Sequence, residues 1–354
     1  MLSPAAIKHH AAALGFDLCG IAPAHAFPEL AFLKEWLARG YAGEMEYMHH
    51  SAERRADIRN VLPSAKSVIV TATVYNTNDR REPGAGSREP DAIQVAKYAR
   101  GQDYHKVLDD RLHELREWMR KQSDEPFDAE IFVDKHHVQE RVFAQYAGLG
   151  WIGKNTCLIN REQGSWLFLA GMATSLELDT DQPGFDQCGE CTLCLDACPT
   201  GALVDARVMD ATKCISYLTI EVDGPIPEAQ RAQIGNHAYG CDICQDVCPW
   251  NLAAAVSADP AWQAPKRDGL SASDLWQRSD FELHTLIKGS AMTYLPLSRL
   301  RRNLATIIGN TGDRDLADVL DQPGAGLKNA ARSSATPVVE NAVAWARTQL
   351  ESVE

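Results

Sequence analysis

The chain has 354 residues and a formal charge of −13, from 35 Lys and Arg against 48 Asp and Glu. That length holds two or three domains and a sizeable core, while the acidity leaves a polyanionic partner only a local basic face to bind. The opening MLSPAAIKHHAAALGF lacks the apolar run and small-residue site of a signal peptide, and no window approaches the roughly eighteen apolar residues of a membrane span, so a cytoplasmic, non-membrane protein is expected.

Apolar spacing predicts helices near 4–14, 29–39 and 104–121, alternating with strand-like runs at 67–75 and 129–133. Residues 80–91, rich in Pro, Gly and charge, read as a surface loop. A helix is expected over 138–147 and a strand over 165–178, making 1–178 a mixed α/β domain. A ferredoxin-like module follows at 179–256, then a helical tail at 257–354. The tail carries apolar helix patterns at 300–308 and 338–350, with GNTGD at 309–313 supplying a glycine stop, in the manner of a short HEAT-like cap. The fold class is α+β.

Ten cysteines carry the clearest chemistry. Cys188-x2-Cys191-x2-Cys194-x3-Cys198-Pro199 is the bacterial ferredoxin run for a cubane iron–sulfur cluster. Cys241-x2-Cys244-x3-Cys248-Pro249 repeats the pattern with Ala238 in place of its first cysteine. Two [4Fe–4S] clusters need eight thiolates; the runs supply seven, and Cys214 between them is the eighth. In two-cluster ferredoxins the cysteine before proline crosses to the other cluster. One cluster therefore takes Cys188, Cys191, Cys194 and Cys248, and the second takes Cys198, Cys214, Cys241 and Cys244. Zinc sites or disulfides are weaker readings, because neither accounts for a triple CxxCxxC ending in Cys-Pro, repeated. Cys19 and Cys157 remain as buried or idle thiols.

The stretch Gly148-Leu149-Gly150-Trp151-Ile152-Gly153-Lys154-Asn155 matches GxGxxG and nearly matches the P-loop. Both motifs require a strand before and a helix after. Here a helix-like 140–147 precedes, a strand-like 156–159 follows, and Asn155 lacks the hydroxyl that would ligate Mg²⁺. Nucleotide binding is not expected; the glycines are read as a tight loop letting the backbone approach a flat ligand or another domain. Asp134 ends the strand AEIFV, where it is either the N-cap of the next helix or a general acid whose partly desolvated carboxyl holds its proton near neutral pH. The pairs His49-His50 and His136-His137 are read as surface or loop residues. Candidate basic patches are Arg54, Arg55 and Arg59, and Arg299, Arg301 and Arg302.

ERRAD at 53–57, RGQDYHKVL at 100–108, AGLGWIGKNTCLIN at 147–160, GSWLFLAG at 164–171, CLDACPTGAL at 194–203, KCISYLT at 213–219, YGCDICQDVCPWN at 239–251 and LRRNLATIIGN at 300–310 form a linked set. Together they resemble the epoxyqueuosine reductases, relatives of the cobalamin-dependent reductive dehalogenases, over nearly the whole chain. The resemblance implies reduction of epoxyqueuosine to queuosine at the tRNA wobble position, using cobalamin and two [4Fe–4S] clusters fed by a low-potential electron donor. It makes Asp134 the proton donor and places Arg55, Asp134, Gln139, Leu158, Leu169, Ser216, Gly240, Cys241, Asp242 and Ile243 around the corrin. The tail would help hold tRNA, with Arg299, Arg301 and Arg302 as contacts on charge alone, and a monomer is expected. The family commonly reads Asp-Thr-Gly where this chain has Asp134-Lys135-His136, followed by His137. The competing readings are an iron–sulfur electron carrier for a partner enzyme and a dehalogenase-like reductase of small molecules.

Overall fold

The computed structural model describes residues 2–77, 90–263, 267–324 and 337–352; the loop expected at 80–91 lies, but for its last two residues, outside them. Helix α1 (Pro4–Ala13) starts where the Ser3 hydroxyl accepts from the Ala6 N–H and Pro4 fixes the first turn. Strand β1 (Leu18–Pro23), α2 (Pro28–Ala38), α3 (Glu46–Arg55), β2 (Ser67–Val74) and the short β3 (Gln94–Val95) follow. Next come α4 (Tyr104–Gln122), β4 (Ala129–Phe132), α5 (Glu140–Tyr146), a hairpin of β5 (Trp151–Ile152) and β6 (Leu158–Ile159), and β7 (Leu167–Thr174).

The main sheet has the order β1-β2-β7-β4 with every neighbour antiparallel. Strand β2 is buried at all eight positions because both sheet faces are covered. Ile69 faces a layer built by Ile7 and Ala11 of α1 and Leu108, Leu112, Leu115 and Met119 of α4. Its neighbours Val68, Val70 and Ala72 face the opposite layer with Leu30, Val142, Phe143 and Ala144, as the two-residue strand period demands. Burying each large apolar side chain of α4 contributes about 1.5–3 kcal/mol. Gly20 admits the end of α5, since a Cβ there would lie 2.0 Å from the Ala147 carbonyl oxygen.

In the cysteine-rich region, α6 (Leu193–Asp196) is followed by the hairpin β8 (Leu203–Asp205) and β9 (Val208–Met209), then α7 (Ile215–Ile220), α8 (Glu228–Arg231), β10 (His237–Tyr239) and α9 (Ile243–Asp246). Strand β10 pairs in parallel with β3, joining this region to the first domain.

The tail holds α10 (Ala272–Gln277), α11 (Asp280–Ile287) with a Ser279–Glu282 capping box, α12 (Leu297–Asn310) and α13 (Pro337–Glu351). Ten consecutive residues of α12, from Leu300 to Gly309, are buried, which marks a central helix. Its core is shared: Val95, Ala99, Ala238 and Tyr239 pack with Leu300, Leu304 and Ile308. Arg301 and Arg302 are 0% exposed, so they form no surface patch for RNA, contrary to the sequence expectation. Arg301 donates to Asp280 and to the Trp276 and Arg278 carbonyls, and Arg302 to the Leu218, Val222 and Gly224 carbonyls. Arg299 pairs with Asp223 and the Ile220 carbonyl. Among the described residues no helix is long and apolar enough to cross a membrane.

Candidate active site

Asp134 sits two residues past the end of β4, with a φ of 49° that few residues other than glycine adopt. It does not cap α5; the residue before that helix is Gln139, whose amide donates instead to the Leu30 and Arg55 carbonyls. What holds Asp134 is the start of α4. Asp103 caps that helix by accepting from the His105 N–H, and this turns the next two side chains toward the loop. The Tyr104 hydroxyl donates to Asp134 Oδ2 at 2.8 Å, and His105 Nε2 lies 3.2 Å from the same oxygen. His105 Nδ1 is 2.7 Å from Asp103 Oδ1, and the Tyr294 hydroxyl donates to Asp103 Oδ2. The Lys135 ammonium rests 3.7 Å from the centre of the Tyr294 ring, so the loop also touches the tail.

Crowding by surrounding protein raises the Asp134 carboxyl, but bonds from His105 and Tyr104, and the charges of His105 and Arg141, outweigh it and leave it below the usual carboxylate range. The expectation that it holds its proton near neutral pH is therefore corrected for this state. Its side chain is still 62% exposed, so the carboxyl remains open to solvent. Glu140 behaves oppositely: burial first, then the Asp134 charge, pushes its carboxyl up to about 8, and its Oε1 is buried without a partner. Two carboxyls driven apart in this way favour separate roles. Burial, then the charges of Glu221 and Asp134, raise the Tyr47 hydroxyl to about 12.

The other candidates gather in small groups. Arg55 donates to Ser51 and to the Val138 carbonyl, meeting Gln139 through its own carbonyl. Leu158 and Leu169 share an apolar group. The Gly240 N–H donates to Thr219 Oγ1, which itself donates to the Ser216 carbonyl. Gly240 has a φ of 68°, and a Cβ there would lie 2.7 Å from Ala96 Cβ. Cys241 and Ile243 pack with Cys214. Burial pushes the Asp242 carboxyl up to about 6; its Oδ2 accepts from the Lys97 N–H, while its Oδ1, like His137 Nδ1, is buried without a partner. In the first basic patch, Arg55 thus turns inward and Arg59 is chelated by Asp57.

Two apolar groups each bring two of the cysteines together, Cys188 with Cys248 and Cys214 with Cys241. Cys188 and Cys248 pack with Trp151 and Trp250, and burial, then Cys188 and Cys194, push the Cys248 thiol up to about 11. Cys194 is raised by burial and by Cys188 and Cys191. Cys241 is raised by burial and by Cys214 and Cys198, and Cys244 by Cys157, burial, Cys241 and Cys214. Cys248 thus packs with Cys188 of the first run. Among the described residues no three His, Cys, Asp or Glu side chains close on a single-ion site of the kind zinc requires. Four thiolates on the corners of a cubane need no such convergence.

Two family models match: a 4Fe-4S double cluster binding domain over residues 187–251, and epoxyqueuosine reductase QueG, DUF1730, over residues 55–135. An epoxyqueuosine reductase from Gloeobacter violaceus is 44% identical over 318 residues, which is 87% of this chain and 97% of its own. The chain belongs to the epoxyqueuosine reductase family. Another epoxyqueuosine reductase, from Xanthomonas campestris pv. campestris, is 37% identical across 98% of this chain and 95% of its own. A crystal structure of an epoxyqueuosine reductase with a tRNA-Tyr epoxyqueuosine-modified stem loop matches with a TM-score of 0.86 at 29% identity, covering 97% of this chain and 89% of its own. An epoxyqueuosine reductase from Bacillus subtilis, whose catalytic aspartate loop is swung out of the active site, matches at 0.83 and 28% identity over the same shares. Membership in the epoxyqueuosine reductase family makes this chain an iron–sulfur oxidoreductase.

Sequence reasoning assigned no role to Tyr104 or His105, although both lie inside a stretch it singled out. The available signal was Asp103, a helix-capping residue directly before two side chains capable of proton chemistry.

Proposed function

We infer that this chain reduces epoxyqueuosine to queuosine in tRNA, with Asp134 as proton donor. The observation that carries the reading is one solvent-open carboxylate clasped by Tyr104 and His105, in a chain whose double-cluster module packs Cys188 with Cys248 and brings Cys214 and Cys241 to one apolar group. An electron carrier has no use for such a carboxylate. Opening the epoxide to the alkene consumes two electrons and two protons and releases water.

The Cys-Pro crossover assigns Cys188, Cys191, Cys194 and Cys248 to one cluster and Cys198, Cys214, Cys241 and Cys244 to the other, and the packing of Cys248 with Cys188 supports it. Residues that could hold cobalamin are the apolar pair Leu158 and Leu169 and the partnerless polar atoms of His137, Glu140 and Asp242, which a ring bearing amide arms would satisfy. Arg55, Gln139, Ser216 and the loop 240–243 would complete that cradle. Bound cobalamin supplies a low-valent cobalt that attacks or reduces carbon. Asp134 gives its proton to the departing oxygen. Desolvation of its exposed carboxyl on ligand binding would raise its pKa toward the protonated form. His105, held by Asp103, orients it and returns the proton. The HEAT-like tail reaches the site through Tyr294 and helps seat the RNA. A cytoplasmic monomer served by a low-potential donor completes the reading.

The test is nucleoside mass spectrometry on epoxyqueuosine-containing tRNA incubated with holoprotein, cobalamin and a low-potential reductant. Queuosine should form, and Asp134→Asn should abolish it while both clusters and bound corrin remain. Persistence of epoxyqueuosine with intact clusters and bound corrin overturns the assignment.

A further inference from the structure

The glycine-rich stretch that imitates a nucleotide loop lies against the cluster module. Gly150 leaves no room for a side chain, because a Cβ would lie 2.1 Å from the Ile159 carbonyl oxygen. A Cβ on Gly184 would in turn lie 1.8 Å from the Gly150 carbonyl oxygen. Between those close approaches β5 presents Trp151, 2% exposed, with its indole Nε1–H donating to the Cys188 sulfur at 3.4 Å. Trp250 meets the Trp151 ring edge-on at 5.1 Å, and the buried Cys248 packs in the same group. Lys154 closes the arrangement by donating to the Gly189 carbonyl at 2.7 Å.

We propose that Trp151 is a positioning residue that raises the reduction potential of the cluster ligated by Cys188, and that this is what the glycine stretch is built to do. The inference rests on the two-cluster reading above. With the cluster in place the Cys188 sulfur is a thiolate, a stronger acceptor than the free thiol. An N–H aimed at a ligand sulfur stabilises the added negative charge of the reduced cluster more than the oxidised one. Trp151 is two-sided: its ring shields the cluster edge from water, which lowers the potential, while its N–H raises it. On that reading Cys241 would ligate the second cluster from the loop assigned to the corrin site. The Cys188 cluster is then the one that takes electrons from outside, and a higher potential lets it hold the first while the second arrives.

The experiment is an EPR-monitored redox titration of anaerobic holoprotein. Wild type is compared with Trp151→Phe and with benzothienylalanine at position 151, an isostere that keeps the two-ring shape and lacks the N–H. A Cys188→Ser variant identifies the signal, since replacing the ligand changes the line shape of the cluster it holds. At full iron content, the Cys188 cluster should titrate at a more negative potential in the isostere while the other cluster stays put, and Trp151→Phe, which also thins the shield, should fall short of that shift. If Trp151→Phe loses iron, the isostere decides. Unchanged potentials in the isostere, or equal movement of both clusters, overturn the proposal. A wild-type protein that binds fewer than two clusters instead overturns the two-cluster reading.

Discussion

Asp134 is governed by two hydrogen bonds of unequal kind. The Tyr104 hydroxyl can only serve the carboxylate as a donor, whereas His105 can also deliver a proton. Both lower the Asp134 pKa, so their stabilisation of the fold is present above the ordinary carboxylate range and is lost as pH falls through the depressed value. Catalysis by the protonated acid has the opposite preference, and kcat/KM falls as Asp134 ionises in the free enzyme. Tyr104→Phe keeps the ring stacked on Phe168, 4.5 Å away, but removes one donor. It should move that limb of the kcat/KM profile upward by about one pH unit, as read from initial rates of queuosine formation against pH. An unmoved limb means that Tyr104 does not set the acid. The place of Asp134 just past β4 was legible from the strand before it, while its role came from the family resemblance and not from that position; the cysteine pattern was legible from spacing alone. Tyr104 and His105 were not, because their function depends on a helix start folding back over a loop some thirty residues away in sequence.

Among the elements, α12 shows how charge in a sequence misleads. Its Leu-Arg-Arg-Asn run reads as an amphipathic surface, yet the helix is enclosed and its arginines serve as internal fasteners. Arg302 takes the carbonyls of Leu218, Val222 and Gly224, which lie at and just beyond the end of α7 and have no further helix to bond to. No charge count can show that, because the acceptors are backbone atoms of a different segment. Arg302→Ala should strand those carbonyls and cost about 3 kcal/mol or more, measured by urea unfolding of the holoprotein; a loss below about 1 kcal/mol rejects the fastening role. The long, strongly patterned elements were legible: the helix expected at 104–121 spans Tyr104–Gln122, and the strand expected at 67–75 spans Ser67–Val74. The expected strand at 165–178 shrinks to Leu167–Thr174, and the two-residue β3 left no periodic trace to read.

At the scale of the whole molecule, the sequence reads as three parts in a row, but the packing is not partitioned that way. The apolar group around α12 draws Ile93 and Val95 from the first part, Ala238 and Tyr239 from the second, and Leu283, Val339 and Leu350 from the tail. Ending the chain after residue 270 would expose that group rather than remove an appendage. The truncated protein should be insoluble or cluster-poor, not a stable reductase that merely fails to hold RNA. Soluble yield and iron content check this directly; a soluble truncation with full iron contradicts it. The net charge of −13 then poses little conflict with an RNA substrate, because the site's own cation–aromatic edge at Lys135 and Tyr294 is local.

The ladder between β3 and β10 joins residues 94–95 to residues 237–239 across more than a hundred positions of chain. A module stitched to its host in this way is not portable. Transplanting the cysteine-rich segment between family members by cutting at its sequence borders would carry one side of the seam and leave the other behind. A working chimera would therefore take its breakpoints from the sheet and the shared core rather than from the cysteine motifs.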